Sequence, residues 1–225
     1  MCGRYSLKTP ADILAKHFQL AQVPPGKPRY NIAPSQLVVT VKVPVHQNER
    51  EIGLARWGLI PSWAKDPSIG NRMIIARAET VSEKPAFRDA FARSRCLIPA
   101  DGYYEWRRQG RMGQRKQPFY IRMRDARLFA FAGLWERWMG PDGKAVETCA
   151  ILTTEPNAAL KEIHDRMPVI LDPKDYGQWL DPSIRQAALL QPLLCPYHDD
   201  ALTAYPVSPH VNDPSHDDAA CIEPL

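Results

Sequence analysis

The chain has 225 residues, 44% of them hydrophobic and 24% charged. That is enough for one sizeable core and short for two ordinary domains. No apolar run approaches the roughly 18 residues of a membrane-spanning helix, and Met1-Cys2-Gly3-Arg4-Tyr5 lacks the apolar stretch of a signal peptide, so a cytoplasmic protein without membrane contact is expected. The five cysteines, Cys2, Cys96, Cys149, Cys195 and Cys221, are odd in number, widely spaced and without a Cys-x-x-Cys pair. Neither a disulfide framework nor a metal site is expected from them, and His198 and His210 near Cys195 read as solvated polar residues.

Charge is unevenly spread. The tail after Arg185 has no Lys or Arg and six acids, and with a net charge of +4 overall this leaves +10 on residues 1–185. A basic body suits a polyanionic partner, although charge alone favours the plainer reading of a soluble protein with an acidic end.

In chain order, residues 9–19 predict a helix, with Thr9 as cap, Pro10 in the first turn and Ile13, Leu14 and Phe18 as its apolar stripe. The connector Pro24-Pro25-Gly26-Lys27-Pro28 follows. Residues 36–43 predict a strand, 50–56 its partner, and 73–78 another strand after the loop around Pro61 and Pro67. Residues 84–93 predict a short helix. Strands are then expected at 96–99, 102–107, 117–123, 127–133 and 147–153, with a hairpin turn over 109–116 marked by Gly110 and Gly113. Asp172-Pro173 starts a helix through Trp179, and 183–190 predicts one more. Twenty-two prolines punctuate these short elements. The pattern predicts one α+β domain spanning residues 1–225, a barrel-like sheet of antiparallel strands with peripheral helices.

Cys2 carries the first chemical signal. Removal of the initiator Met would put an α-amine and a thiol on one residue. An α-amine has a pKa of about 7.7–8.0, so part of it is neutral near pH 7 and able to attack an aldehyde. The thiol can then add to the imine and close a thiazolidine ring. Taken alone, Cys2 reads as an incidental terminal residue.

It is followed, in order, by Arg29-Tyr30-Asn31-Ile32-Ala33-Pro34, Arg56-Trp57-Gly58-Leu59-Ile60-Pro61, Ala76-Arg77-Ala78-Glu79-Thr80, Asp101-Gly102-Tyr103-Tyr104-Glu105-Trp106 and Ile163-His164-Asp165-Arg166-Met167-Pro168. In this arrangement the chain resembles the SOS response-associated peptidase family, from Cys2 to Ile222-Glu223-Pro224. The resemblance implies a compact α+β module whose partner is single-stranded DNA containing abasic sites. It implies a monomer without cofactor or metal, nucleoid-associated in a bacterium, with abasic-site crosslinking and AP-lyase-type activity. The ring-opened abasic sugar exposes the aldehyde that the Cys2 chemistry needs.

Matched by position, Cys2 is the nucleophile, with Glu105 and His164 as acid–base groups. Flanking Tyr104 and Trp106 suit a carboxyl in partly apolar surroundings. Arg4, Arg77 and Arg166 match phosphate-holding positions, and Asn31 and Thr153 match further substrate or DNA positions. Trp63, in a Pro-Ser-Trp-Ala-Lys loop, suits stacking on a base, whereas Trp57 reads as core. Arg107, Arg108, Arg111, Arg115 and Lys116 read as a solvated hairpin tip. One position departs from the family: Ile75 stands where an Asn is usual and offers neither donor nor acceptor. Asn71 lies too far along a strand to replace it, at about 3.3 Å per residue. Two other readings stay open. One is a cysteine peptidase that uses Cys2 and His164, acting on its own N-terminus. The other is a non-catalytic single-strand-binding module.

Overall fold

The computed structural model describes residues 2–44, 49–107 and 116–225. Strands are β1 (Tyr5–Leu7), β2 (Arg29–Ile32), β3 (Leu37–Lys42), β4 (Glu51–Trp57), β5 (Ile75–Arg77), β6 (Arg95–Ala100), β7 (Gly102–Arg107), β8 (Gln117–Met123), β9 (Phe129–Met139), β10 (Ala145–Thr154), β11 (Met167–Pro168), β12 (Ile170–Leu171) and β13 (Leu202–Pro206). Helices are short: α1 (Ala11–Phe18), α2 (Arg88–Arg93), α3 (Tyr176–Leu180) and α4 (Ala187–Leu190). The class is α+β, as the sequence predicts.

Five strands close into a ring in the order β3, β4, β10, β9, β6 and back to β3. Closure removes the free edges that a sheet would otherwise expose. One join departs from the antiparallel expectation: β10 runs parallel to β4, with Thr148 opposite Arg56, and parallel to β5. The second sheet is antiparallel throughout, in the order β13-β8-β7-β1-β2. Tyr5 of β1 joins the two layers. Its ring meets Trp57 edge-on at 5.5 Å and Phe131 at 5.7 Å, and all three are buried.

Several expected elements differ in extent, each for a local reason. Helix α1 starts at Ala11 with Pro10 as its cap, because the Thr9 hydroxyl is taken by the buried Asp101. The strand expected over 73–78 narrows to β5: the Met73 carbonyl accepts from Leu59 N–H, and the Ile74 carbonyl is shared between Ile151 N–H and the Trp57 indole. The helix expected over 183–190 begins only at Ala187. Arg95 donates to the Asp181 and Ile184 carbonyls, and Asp181 Oδ1 accepts Ser183 N–H, so several groups that a helical ladder would use are engaged elsewhere. Strand β9 runs on to Met139, paired with β10 along Ala145–Ile151. Residues 109–115 of the expected hairpin turn, with Arg108, Arg111 and Arg115, lie outside the described residues.

The acidic tail returns to the second sheet. Asp217 pairs with Arg29 and accepts from Tyr30 N–H at 2.5 Å and Asn31 N–H at 2.8 Å. Asn31, fully buried, donates its amide to the carbonyls of Val211, Asp213 and His216 at 2.7–3.1 Å and accepts from Arg4 Nη1 at 3.0 Å. Asn31→Ala strands these carbonyls, each lost partner costing on the order of 1–3 kcal/mol where water cannot replace it. Urea denaturation of this variant should show a loss of at least about 2 kcal/mol. Unchanged stability with weakened DNA binding would instead place Asn31 in a ligand contact.

Candidate active site

The site forms where the second sheet meets the β10 end of the ring. Strand β7 supplies Glu105, and β1 grows out of the segment carrying Cys2. Strand β10 carries Thr153, with β5 on one side in the register Ile151–Ile75, Leu152–Ala76 and Thr153–Arg77. On its other side Thr153 faces Pro168 of β11, and the turn before β11 delivers His164, Asp165 and Arg166.

Cys2 and Glu105 are both buried, at 0% and 2% exposure. Burial, reinforced by Glu105, pushes the Cys2 thiol well above its ordinary pKa, so it rests protonated. Burial likewise pushes the Glu105 carboxyl up to about 7. His164 Nε2 lies 3.7 Å from Glu105 Oε2. Its Nδ1 accepts the Arg166 backbone N–H at 3.0 Å, which makes Nδ1 the acceptor of the neutral ring and puts the proton on Nε2, facing the carboxyl. Burial lowers the His164 pKa, and a protonated ring would instead turn Nδ1–H to Asp165 Oδ1, 3.0 Å away. Burial thus moves the carboxyl up and the imidazole down, drawing the proton affinities of the two groups together. Such a pair exchanges protons with a reacting group at little free-energy cost.

The arginines divide. Arg166 is committed inside the protein. Its fork grips Glu79 in two bonds of 2.6 and 3.0 Å, and Nη2 also donates to the Thr153 carbonyl at 2.7 Å. Arg4 donates to Asn31, to Val211 O at 2.9 Å and to Asn212 O at 3.2 Å. Arg77 is exposed on β5, on the same face as Ile75, since strand side chains alternate. Ile75 is half-buried against the core. Asn71 stands in a 3-10 turn over Pro67–Arg72, not on a strand, and its Oδ1 accepts from Arg56 Nη2 at 3.0 Å. Thr153 is buried, its hydroxyl 3.5 Å from Ala76 O. Trp57 is core and Trp63 is 57% exposed.

Sequence reasoning did not pick out Glu79 as the anchor of Arg166 or Asp165 as a neighbour of His164, although both stand inside quoted motifs. Among the described residues, His210, Asp218 and Cys221 bring their ligand atoms within 4.8 Å of one another. Hydrogen bonds explain that grouping: His210 Nε2 meets Asp218 at 3.1 Å and Cys221 Sγ meets His216 O at 3.4 Å. No described helix is long and apolar enough to cross a membrane.

The profile of the SOS response associated peptidase family matches residues 1–214, which hold the buried Cys2 and the Glu105–His164 pair. The chain belongs to the SOS response associated peptidase (SRAP) family. A similar relative is the abasic site processing protein YoqW of Bacillus subtilis, 46% identical over 226 residues and covering 99% of both chains. The mouse abasic site processing protein HMCES is 31% identical over 271 residues, covering 100% of this chain and 76% of its own. Among solved structures, a protein from Bacteroides thetaiotaomicron superimposes with a TM-score of 0.86 at 28% identity, covering both chains fully. One from Bordetella bronchiseptica gives 0.77 at 28% identity, covering 92% of this chain and all of that one.

The raised Glu105 pKa has a consequence for SRAP-fold stability. A carboxyl whose folded pKa exceeds its unfolded value of about 4.3 keeps a proton in the folded state that the unfolded state has lost. Stability therefore falls as pH rises from about 4.3 to about 7. Glu105→Gln removes this loss. Its Tm should exceed that of the unaltered protein at pH 8, with the difference closing towards pH 4. A gap that does not change with pH would mean that Glu105 is not the group titrating.

Proposed function

We propose that the protein processes abasic sites in single-stranded DNA by forming a covalent bond through Cys2. The observation that carries this reading is the placement of the Cys2 thiol beside a carboxyl with a pKa near 7 and an imidazole 3.7 Å from it. The processing names of relatives that cover the whole chain support the substrate class.

With Met1 removed, the Cys2 amine attacks C1 of the ring-opened sugar. Glu105 takes a proton from the attacking amine and helps the ring open, and His164 Nε2–H serves the departing hydroxyl. Loss of water gives the imine, and the thiol then adds to it. AP-lyase chemistry is the alternative fate of the same imine. On the DNA side, Arg77 is the phosphate-facing cation and Trp63 the stacking platform, both exposed. Arg4 and Arg166 act from behind, shaping the site through Asn31, Thr153 and Glu79. Ile75 brings no hydrogen-bonding group to the sugar, so orientation of the aldehyde falls to its neighbours.

The test is incubation with a single-stranded oligonucleotide bearing one abasic site, followed by denaturing electrophoresis and intact mass. The expected product is a heat-stable adduct with the combined mass less one water. Cys2→Ala should keep an imine trappable with borohydride and lose the heat-stable adduct. Equal heat stability in Cys2→Ala would remove the sulfur from the linkage, and no adduct with the unaltered protein would remove the proposal.

Non-covalent binding should weaken with salt, with a slope of about −0.7 per neutralised phosphate. Arg77→Ala should reduce affinity and make that slope shallower by about one such unit. Arg166→Ala should act mainly on stability, because its fork is already taken by Glu79. A salt slope untouched by Arg77→Ala would place the DNA on another face.

A further inference from the structure

The tail carries a group of side chains that the chemistry at Cys2 does not use. His210 and Cys221 lie in the 3-10 turns Pro209–Asn212 and Ala219–Ile222, and Asp218 caps the second turn. Their spacing contains no paired cysteines, so the sequence alone points to no metal site there. Folding packs the two turns together and brings one ligand atom of each residue within 4.8 Å of the others. His210 Nε2 stands 3.1 Å from Asp218 Oδ2. Ligands held by one tetrahedral zinc ion at about 2.0–2.3 Å lie roughly 3.3–3.5 Å from one another. The imidazole and carboxylate already stand near that spacing, and the Cys221 sulfur reaches it by a shift on the order of an ångström.

The three side chains are oriented from behind. Asp218 Oδ1 accepts Ala220 N–H at 3.0 Å, which leaves Oδ2 facing His210. The His216 ring stacks face to face on that of His210, centroids 3.8 Å apart, and its Nδ1–H donates to His210 O at 2.8 Å. Outer contacts of this kind fix how ligating side chains point. Cys221 is fully buried, and its thiol makes a weak bond of 3.4 Å to His216 O. The His210 and Asp218 side chains are 31% and 57% exposed, which gives an ion an entry path and room for a water. The tail after Arg185 has six acids and no Lys or Arg, so the local field favours a cation.

We propose that His210, Asp218 and Cys221 bind a zinc ion, with water as the fourth ligand. Nitrogen, oxygen and sulfur donors together suit zinc, whereas calcium and magnesium take oxygen ligands. The hydrogen bonds among these groups assemble the arrangement, and the ion then takes the place of protons within it. The Cys221 thiol releases its proton to solvent and the His210 proton moves from Nε2 to Nδ1, so that three lone pairs face the metal. The two charges of the ion are balanced by the carboxylate and the thiolate. The segment clamped in this way carries the Val211, Asn212, Asp213 and His216 carbonyls that hold Arg4 and Asn31. The ion therefore fastens the tail where it grips β1 and β2, and takes no part in the chemistry at Cys2.

The test uses the full chain, stripped with a chelator and dialysed, with zinc alone and then cobalt alone as probes. Zinc at about a hundred times its dissociation constant should raise the Tm by roughly 5–10 °C. Cobalt should give the near-ultraviolet absorption of a cobalt–thiolate bond. Cys221→Ser, which keeps the size of the side chain, should lose that absorption. Asp218→Asn, which keeps the turn cap, should weaken zinc binding by about tenfold or more. Cys2→Ala and Cys195→Ser should keep both signals, because Cys2 with Glu105 and His164 is the competing place for a thiolate-bound ion. The proposal is overturned if zinc leaves the Tm of the unaltered protein where it was, if the absorption survives Cys221→Ser, or if it disappears with Cys2→Ala.

Discussion

Strand β10 is the constraint on which the arrangement depends. It is bonded to β9 and then, further along, to β11 on one side, and to β4 and then β5 on the other. The antiparallel ladder with β9 and the parallel join to β4 together close the ring. The last residues of β10, beyond the β9 ladder, hold Thr153 between Arg77 and Pro168. One strand thus supports the barrel with one part of its length and spaces the site with the rest. Most of β10 is buried, and a rigid support of this kind holds reacting groups more precisely than a loop.

Burial performs two tasks at the site. It raises the Cys2 thiol and the Glu105 carboxyl and lowers the His164 imidazole, because each charged form loses hydration. Without that shift a carboxyl would be fully ionised at neutral pH and could act only as a base. Held near 7, it can accept a proton in one step and return it in another. The energetic cost is a fold that carries a poorly solvated acid in its core, and such costs concentrate where chemistry requires them.

Much of this was legible in the chain. Residues 102–107 and 117–123 show strands because apolar alternation and flanking turn residues coincide there, and the observed β7 and β8 match them. Motif order brought Glu105 and His164 together before any coordinates did. Other features were illegible for physical reasons. Two-residue strands such as β11 and β12 carry no periodicity. The parallel pairing of β5 with β10 is a tertiary fact, invisible in a three-residue strand. Whether an arginine faces phosphate or a carboxylate depends on what the fold places opposite it: Arg166 meets Glu79, 87 residues away, while Arg77 stays exposed. Thr9 has the right chemistry for a helix cap, but Asp101 competes for its hydroxyl and wins.

The contact between Arg4 and the carbonyls of Val211 and Asn212 spans 207 and 208 residues. Asn31, Asp217 and Arg29 belong to the same latch. On a ribosome, β1 is made almost first and its partners in this latch almost last. The segment carrying Cys2 cannot settle with its full set of bonds until residue 212 has cleared the exit tunnel. Assembly of the site is therefore timed by synthesis of the chain: a truncated or unfinished product retains Cys2 but lacks the contacts that fix its surroundings.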